Sequence, residues 1–213
     1  MSSGPLSLLS QGWEGLLAFL LLVSALLLAI GLHEYAHALS ADLQGDRLPR
    51  AMGRLTLNPI KHLDPLGTVL ILLAGFGWGK PVEFRPEALS SRRFGAALVA
   101  LAGPLMNVAL AIVGAFVFRV VEPAGIGFLE LFLELFIYLN VVLAVFNLLP
   151  IPPLDGSRLL TIFLPPGKQK IVYFLDRYGF LILLVIIFLG PSSLLQPFIR
   201  FVGRIVTGLT GLS

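Results

Sequence analysis

The chain has no cysteine, which excludes disulfides and thiolate metal sites and leaves any metal to His, Asp and Glu. Charge is also scarce: Asp, Glu, Lys and Arg make up 13% of the 213 residues, against roughly 25% in an ordinary soluble domain. Histidine occurs three times. Internal repeats, low-complexity tracts and a linker to a second domain are not seen, so residues 1–213 read as one integral membrane domain, with a core at about 13–160 and a helical region at about 171–213. Apolar residues fill the space left by charge, at 57% of the chain and a mean hydropathy of +0.93. They form several separate runs, too many for one signal peptide or one anchor. The expected fold is an all-α polytopic membrane protein. Its net charge of +3 and pI near 9.5 come from basic residues in short loops between the apolar runs, where they set membrane orientation; nucleic acid is not an expected partner.

Gly15 to Leu32 carries no charge, and its helical pattern continues through His33 to Ala41, which predicts a first spanning helix of about 40 Å at 1.5 Å per residue. Phe94 to Phe118 is a second run of spanning length, and Leu131 to Leu149 a third, interrupted only by Glu134. Another begins near Tyr178 and runs to about Leu189, before Pro191 and Pro197 disrupt the pattern. The run "LGTVLILLAGFGWG", Leu66 to Gly79, has fourteen residues with four glycines and is short for a crossing helix. Basic residues on both sides of it, Arg47, Arg50, Arg54 and Lys61 before, Lys80, Arg85, Arg92 and Arg93 after, predict a segment that enters the membrane and returns as "GWGKPVEFRP". The same rule puts Arg158, Lys168, Lys170 and Arg177 inside and the N-terminus, with no Lys or Arg in its first twelve residues, outside. The tail from Ser192 to Ser213 fits either an interfacial helix or a partial return.

His33 and His37 stand four residues apart with Glu34 between them, in "HEYAH". On a helix the two imidazoles project from one face, one turn apart, as a shared metal requires. H-E-x-x-H is the zinc-protease signature, in which both histidines ligate the metal and the glutamate takes a proton from the attacking water. Ionisable groups in a bilayer are costly and usually mark function. A catalytic zinc needs a third protein ligand and one open position, and here that ligand is His62 or a carboxylate. His62 lies in the proline-flanked loop "NPIKHLDPLG", where it also fits an ordinary turn or an interfacial residue. Asp155 is the better candidate, because it follows "FNLLPIPPL" at the same membrane side where the first helix ends. Zinc with Asp155 and Glu34 ionised and both imidazoles neutral sums to zero charge, which lowers the cost of burial.

"HEYAH", "AGPLMN" at Ala102 to Asn107 and "NLLPIPPLDG" at Asn147 to Gly156 together resemble the site-2 protease family of intramembrane zinc metalloproteases, over about residues 30 to 160. "NPIKHLDPLGT" and "GWGKPVEF" are also similar to compact prokaryotic members without accessory domains. The resemblance implies a three-helix catalytic core, one zinc on His33, His37 and Asp155, Glu34 as catalytic base, and Asn147 as a residue that holds substrate. It implies transmembrane proteins as substrates. Asn147 also fits a helix-end amide bonded to its own backbone. Asn107 reads as structural, with Gly103 allowing close helix approach and Pro104 a local kink. A metal transporter and a non-cleaving metal-bound scaffold are the rival readings. The first needs several ionisable groups along a path, and the second has no use for Glu34.

Overall fold

The structure is a computed structural model and describes residues 4–74, 77–163, 174, 177–185 and 192–211. A 3-10 turn, Pro5–Gln11, leads into α1, Gly12–Leu43. α1 ends where Gly45 turns the chain at φ 107°, a left-handed backbone that glycine adopts without a Cβ penalty. Then follow α2 (Pro65–Ala74), α3 (Arg92–Val121), α4 (Gly127–Asn147), α5 (Gly156–Phe163) and α6 (Ser192–Thr210). Residues 177–185 are also helical. No extended strand occurs among the described residues.

Three described segments are long and apolar enough to cross a membrane: Pro5–Leu43, Arg92–Val121 and Gly127–Asn147. They are the three runs expected from hydropathy, each lengthened or shifted by a few residues at its ends. α1, α3 and α4 pack pairwise against one another. Their residue distribution is the reverse of a soluble bundle. Large apolar side chains such as Leu20, Leu105, Ile112 and Phe116 face outward, whereas α1 buries Ala25, Ala29, Ala38 and Ala41 and α3 buries Ala97, Ala111 and Ala115. Small residues let the backbones approach where no hydrophobic force separates protein from lipid. Beside these small residues the helices bury one cluster of larger apolar side chains, including Phe118 and Ile137, and the polar groups His33, Glu34, His37, Asn107 and Asn140.

α2 makes a short excursion. Leu63 and Gly79 form an antiparallel bridge, and the Lys80 amide donates to the His62 carbonyl at 2.7 Å. The chain thus leaves and comes back to the same point. From Gly79 it runs extended, with Val82 and Phe84 half-buried and Pro81, Glu83 and Arg85 exposed, the alternation of a strand edge. Among the described residues no partner is seen for the amides of Val82, Glu83 and Phe84.

α6, whose place was open from sequence, lies along the bundle. Val202 joins the buried cluster of Ala111, Ala115, Phe118, Leu133, Ile137 and Val141. At one end Phe198 meets Phe146 with ring centroids 6.2 Å apart, and at the other Arg119 donates to the Leu209 carbonyl at 3.1 Å. α6 therefore runs antiparallel to α4. The run expected from Tyr178 to about Leu189 is helical through 185, and its remainder lies outside the described residues.

Candidate metal centre

α1 places His33 and His37 on one face, and α3, antiparallel to it, meets them with residues spaced the same way. The Val99 carbonyl accepts from His37 Nδ1 at 2.7 Å, and Asn107 Oδ1 accepts from His33 Nδ1 at 2.6 Å. Gly103 lies between, where a Cβ would come within 2.6 Å of Cε1 of both rings. Positions 99, 103 and 107 of α3 are one stripe at i, i+4, i+8, and each serves the histidine pair.

Asp155 arrives from α4 through a tight turn. After Asn147 the segment "LLPIPPLD" folds back on itself, with the Leu149 amide on Phe146 O at 3.1 Å and the Leu154 amide on Ile151 O at 3.0 Å. A Cβ at Gly156 would meet the backbone of Leu148 and Leu149, so this turn admits only glycine directly after the aspartate. Asp155 Oδ2 lies 3.2 Å from His33 Nε2 and 3.3 Å from His37 Nε2, and the two Nε2 atoms are 3.0 Å apart.

The hydrogen positions decide what this triangle can do. A backbone carbonyl only accepts, so His37 carries its proton on Nδ1 and turns a lone pair inward from Nε2. Asn107 donates its amide to Ala29 O at 3.3 Å and Asn140 Oδ1 at 2.8 Å, which leaves its oxygen toward His33 and assigns that ring the same tautomer. Three acceptor atoms then converge with no hydrogen among them. Among the described residues Asp155 Oδ2 is buried without a hydrogen-bond partner, which a shared cation would satisfy. Zinc bonds of about 2.0–2.1 Å separate tetrahedral ligands by about 3.3 Å, close to the observed edges. The donor set, two nitrogens and one carboxylate oxygen, also suits zinc.

His33, Glu34, His37, Asn147 and Asp155 all line one cavity of about 560 Å³, together with Trp78, Val82 and Phe84 of the return segment and Phe180 and Leu183 of 177–185. Glu34 is buried, and among the described residues its Oε2 has no partner. Asn147 lines the same space while one N–H of its amide donates to Leu143 O at 3.0 Å, the bond expected of a helix-end amide. His62 stands apart. It is fully buried in the turn Pro59–His62, with Nε2 donating to the Thr56 carbonyl at 2.9 Å, and it does not join the metal-ligating group. Of the readings open for His62, the structure shows the turn residue, buried with its ring bonded to a loop carbonyl.

A second polar layer, not read from the sequence, holds the return segment against the cavity. Arg54 is buried and donates to the carbonyls of Lys61, Lys80 and Pro81. Asp46, with no exposure, accepts from the Leu48 amide at 3.0 Å, the Arg85 amide at 2.5 Å and the Arg85 guanidinium at 2.9 Å. Burial opposes ionisation of Asp46, and these donors outweigh it, holding the carboxyl below the usual range. Burial pulls the Arg54 guanidinium below its usual range, against the opposing carboxylates of Glu34 and Glu83. The sequence signal was available only as acidic and basic residues close together in 42–54.

A family model for peptidase family M50 matches residues 20–124 and 121–186. Among curated proteins, "Putative zinc metalloprotease YwhC" of Bacillus subtilis is 42% identical over 188 residues, covering 84% of this chain and 85% of that protein. "Putative zinc metalloprotease Rip2" of Mycolicibacterium smegmatis is 35% identical, over 79% of this chain and 67% of its own length. Rip2 of Mycobacterium tuberculosis is 32% identical, over 82% and 68%. No solved structure matches the chain with significance.

Proposed function

The chain belongs to peptidase family M50, the site-2 protease family, and is an integral membrane zinc metalloprotease; on that premise we propose that it hydrolyses peptide bonds in or near the transmembrane segments of other membrane proteins. One observation carries this reading. His33 and His37 lie ten and six residues before the end of α1 at Leu43, about 15 and 9 Å inside a helix of spanning length. A centre at that depth is suited to bonds within the bilayer or at its edge.

His33, His37 and Asp155 hold one zinc per chain, and Glu34 is the catalytic base. Zinc so held lowers the pKa of a bound water to about 7 and polarises a carbonyl. Glu34, whose Oε2 is buried without a partner in the same cavity, takes the proton of the attacking water and passes it to the leaving amide nitrogen. The C–N bond then breaks to give an acid and an amine. Asn147 keeps its second N–H for the substrate carbonyl or its developing oxyanion. The free amides of Val82 to Phe84 offer an edge with which an unwound substrate pairs, satisfying its backbone in a dry setting.

The positive loops support an N-terminus outside and a site toward the cytoplasm, and the Leu63–Gly79 bridge supports re-entry of 66–79. The membrane-protease family and the depth of the centre support a role in regulated intramembrane proteolysis. Transport is not favoured, since the described residues offer a single ligating group. A scaffold does not need Glu34.

The test is to incubate the purified chain with a single-span substrate and map both new termini by mass. Cleavage inside or at the edge of the span is expected. Cleavage confined to soluble flanks would overturn the reading.

A further inference from the structure

We infer that Asn140, outside every motif that marks the site, is a positioning residue for the metal ligand His33, acting through Asn107. The inference rests on the zinc reading above and adds a determinant on a third helix.

The two histidines are oriented by different partners. His37 faces a backbone carbonyl, which permits one tautomer only. His33 faces an amide side chain, and an amide presents either an oxygen or an N–H. Turned the other way, Asn107 would donate to Nδ1 and favour the proton on Nε2, a tautomer that cannot ligate from the inward nitrogen. Something must set the direction of Asn107.

The chain of bonds that does so starts at the Phe136 carbonyl, which can only accept. Asn140 Nδ2 donates to it at 2.8 Å, which turns Asn140 Oδ1 toward α3. Asn107 Nδ2 donates to that oxygen at 2.8 Å, which turns Asn107 Oδ1 toward His33. His33 must then donate from Nδ1 and present its Nε2 lone pair to the metal. Each link has one possible direction, and the longer bond from Asn107 to Ala29 O at 3.3 Å points the same way. Both asparagines have no exposure. Two buried amides among apolar helices are costly unless satisfied, and their shared product is the tautomer of one ligand. Partners of this kind tune metal affinity by roughly 10- to 100-fold.

The experiment compares zinc affinity, by chelator competition, in the full chain in detergent for wild type, Asn140→Leu, Asn140→Asp, Ala144→Leu and His37→Ala, with cobalt absorption as a second readout. Leucine at 140 is expected to weaken zinc about 10-fold or more and to alter the cobalt spectrum. Aspartic acid, neutral when buried, can donate to Phe136 O and accept from Asn107, and is expected to restore affinity. Ala144→Leu disturbs packing one turn away, at a buried position, and is expected to leave affinity unchanged. Wild-type affinity and spectrum in Asn140→Leu would overturn the inference, as would an equal loss in Ala144→Leu or no rescue by aspartate. Zinc retained at wild-type strength in His37→Ala would instead overturn the metal site itself.

Discussion

Gly103 lies against His33 so closely that a methyl group on it would stand 2.6 Å from the ring carbon Cε1, and the same holds for His37. Neither ring can retreat without breaking its Nδ1 bond to Asn107 or Val99. Gly103→Ala is therefore expected to lower cleavage by about 100-fold or more, the scale of a ligand displaced by about 1 Å, while helix content is unchanged because alanine favours helix. Gly203, with open space around its Cβ position, serves as the control and should tolerate alanine. Circular dichroism with a cleavage assay reads both.

Three acceptor atoms at 3.0 to 3.3 Å would be stabilised by a metal that they share. Zinc at a hundred times its dissociation constant stabilises the fold by about 2.7 kcal/mol. Chelation is expected to lower the unfolding temperature of wild type in detergent and to leave that of His37→Ala unmoved. An equal shift in both would show that the chelator acts elsewhere.

Arg54 joins the turn at Lys61 to the return segment at Lys80 and Pro81. Arg54→Met keeps the apolar stem and strands these carbonyls, at about 1–3 kcal/mol for each that stays buried and unpaired. Exchange of the bonded amides of Lys80 and Arg85 should accelerate about 10-fold or more, and KM should rise more than kcat falls. Unchanged exchange would mean that the Lys80–His62 bond suffices to hold the segment.

Much of the site was legible. The histidine pair, Glu34 and Asp155 could be read because metal chemistry leaves a local spacing and because acid groups are rare in apolar sequence. The outer partners were not legible in the same way. Asn107 serves His33 only through the antiparallel register of α1 and α3, which no single segment encodes, and Asn140 appeared as one amide in an apolar run. Spanning helices followed from hydropathy. α6 did not, because its polar positions fit an interface as well as they fit its observed place along α4. His62 was read as a turn residue from its flanking prolines, which mark a turn but do not reveal how deeply it is buried.

Asp46 predicts the acid response of the return segment. Its carboxyl is held below the usual range in the folded chain, so its contribution is complete above the unfolded value of about 3.9 and is lost as pH falls through the lower folded value. Protease sensitivity near Arg85 should rise as pH drops below about 4, the unfolded carboxylate value. Asp46→Asn should already be sensitive at neutral pH and lose that acid dependence. The same profile in both proteins would assign the response to another group.

The central claim is tested most directly by pairing metal content with turnover in wild type and Glu34→Gln, each purified and given the same single-span substrate. One zinc per chain is expected in both and cleavage only in wild type, with the variant down by at least about 100-fold. Cleavage at the wild-type rate in Glu34→Gln, with zinc in place, would contradict it.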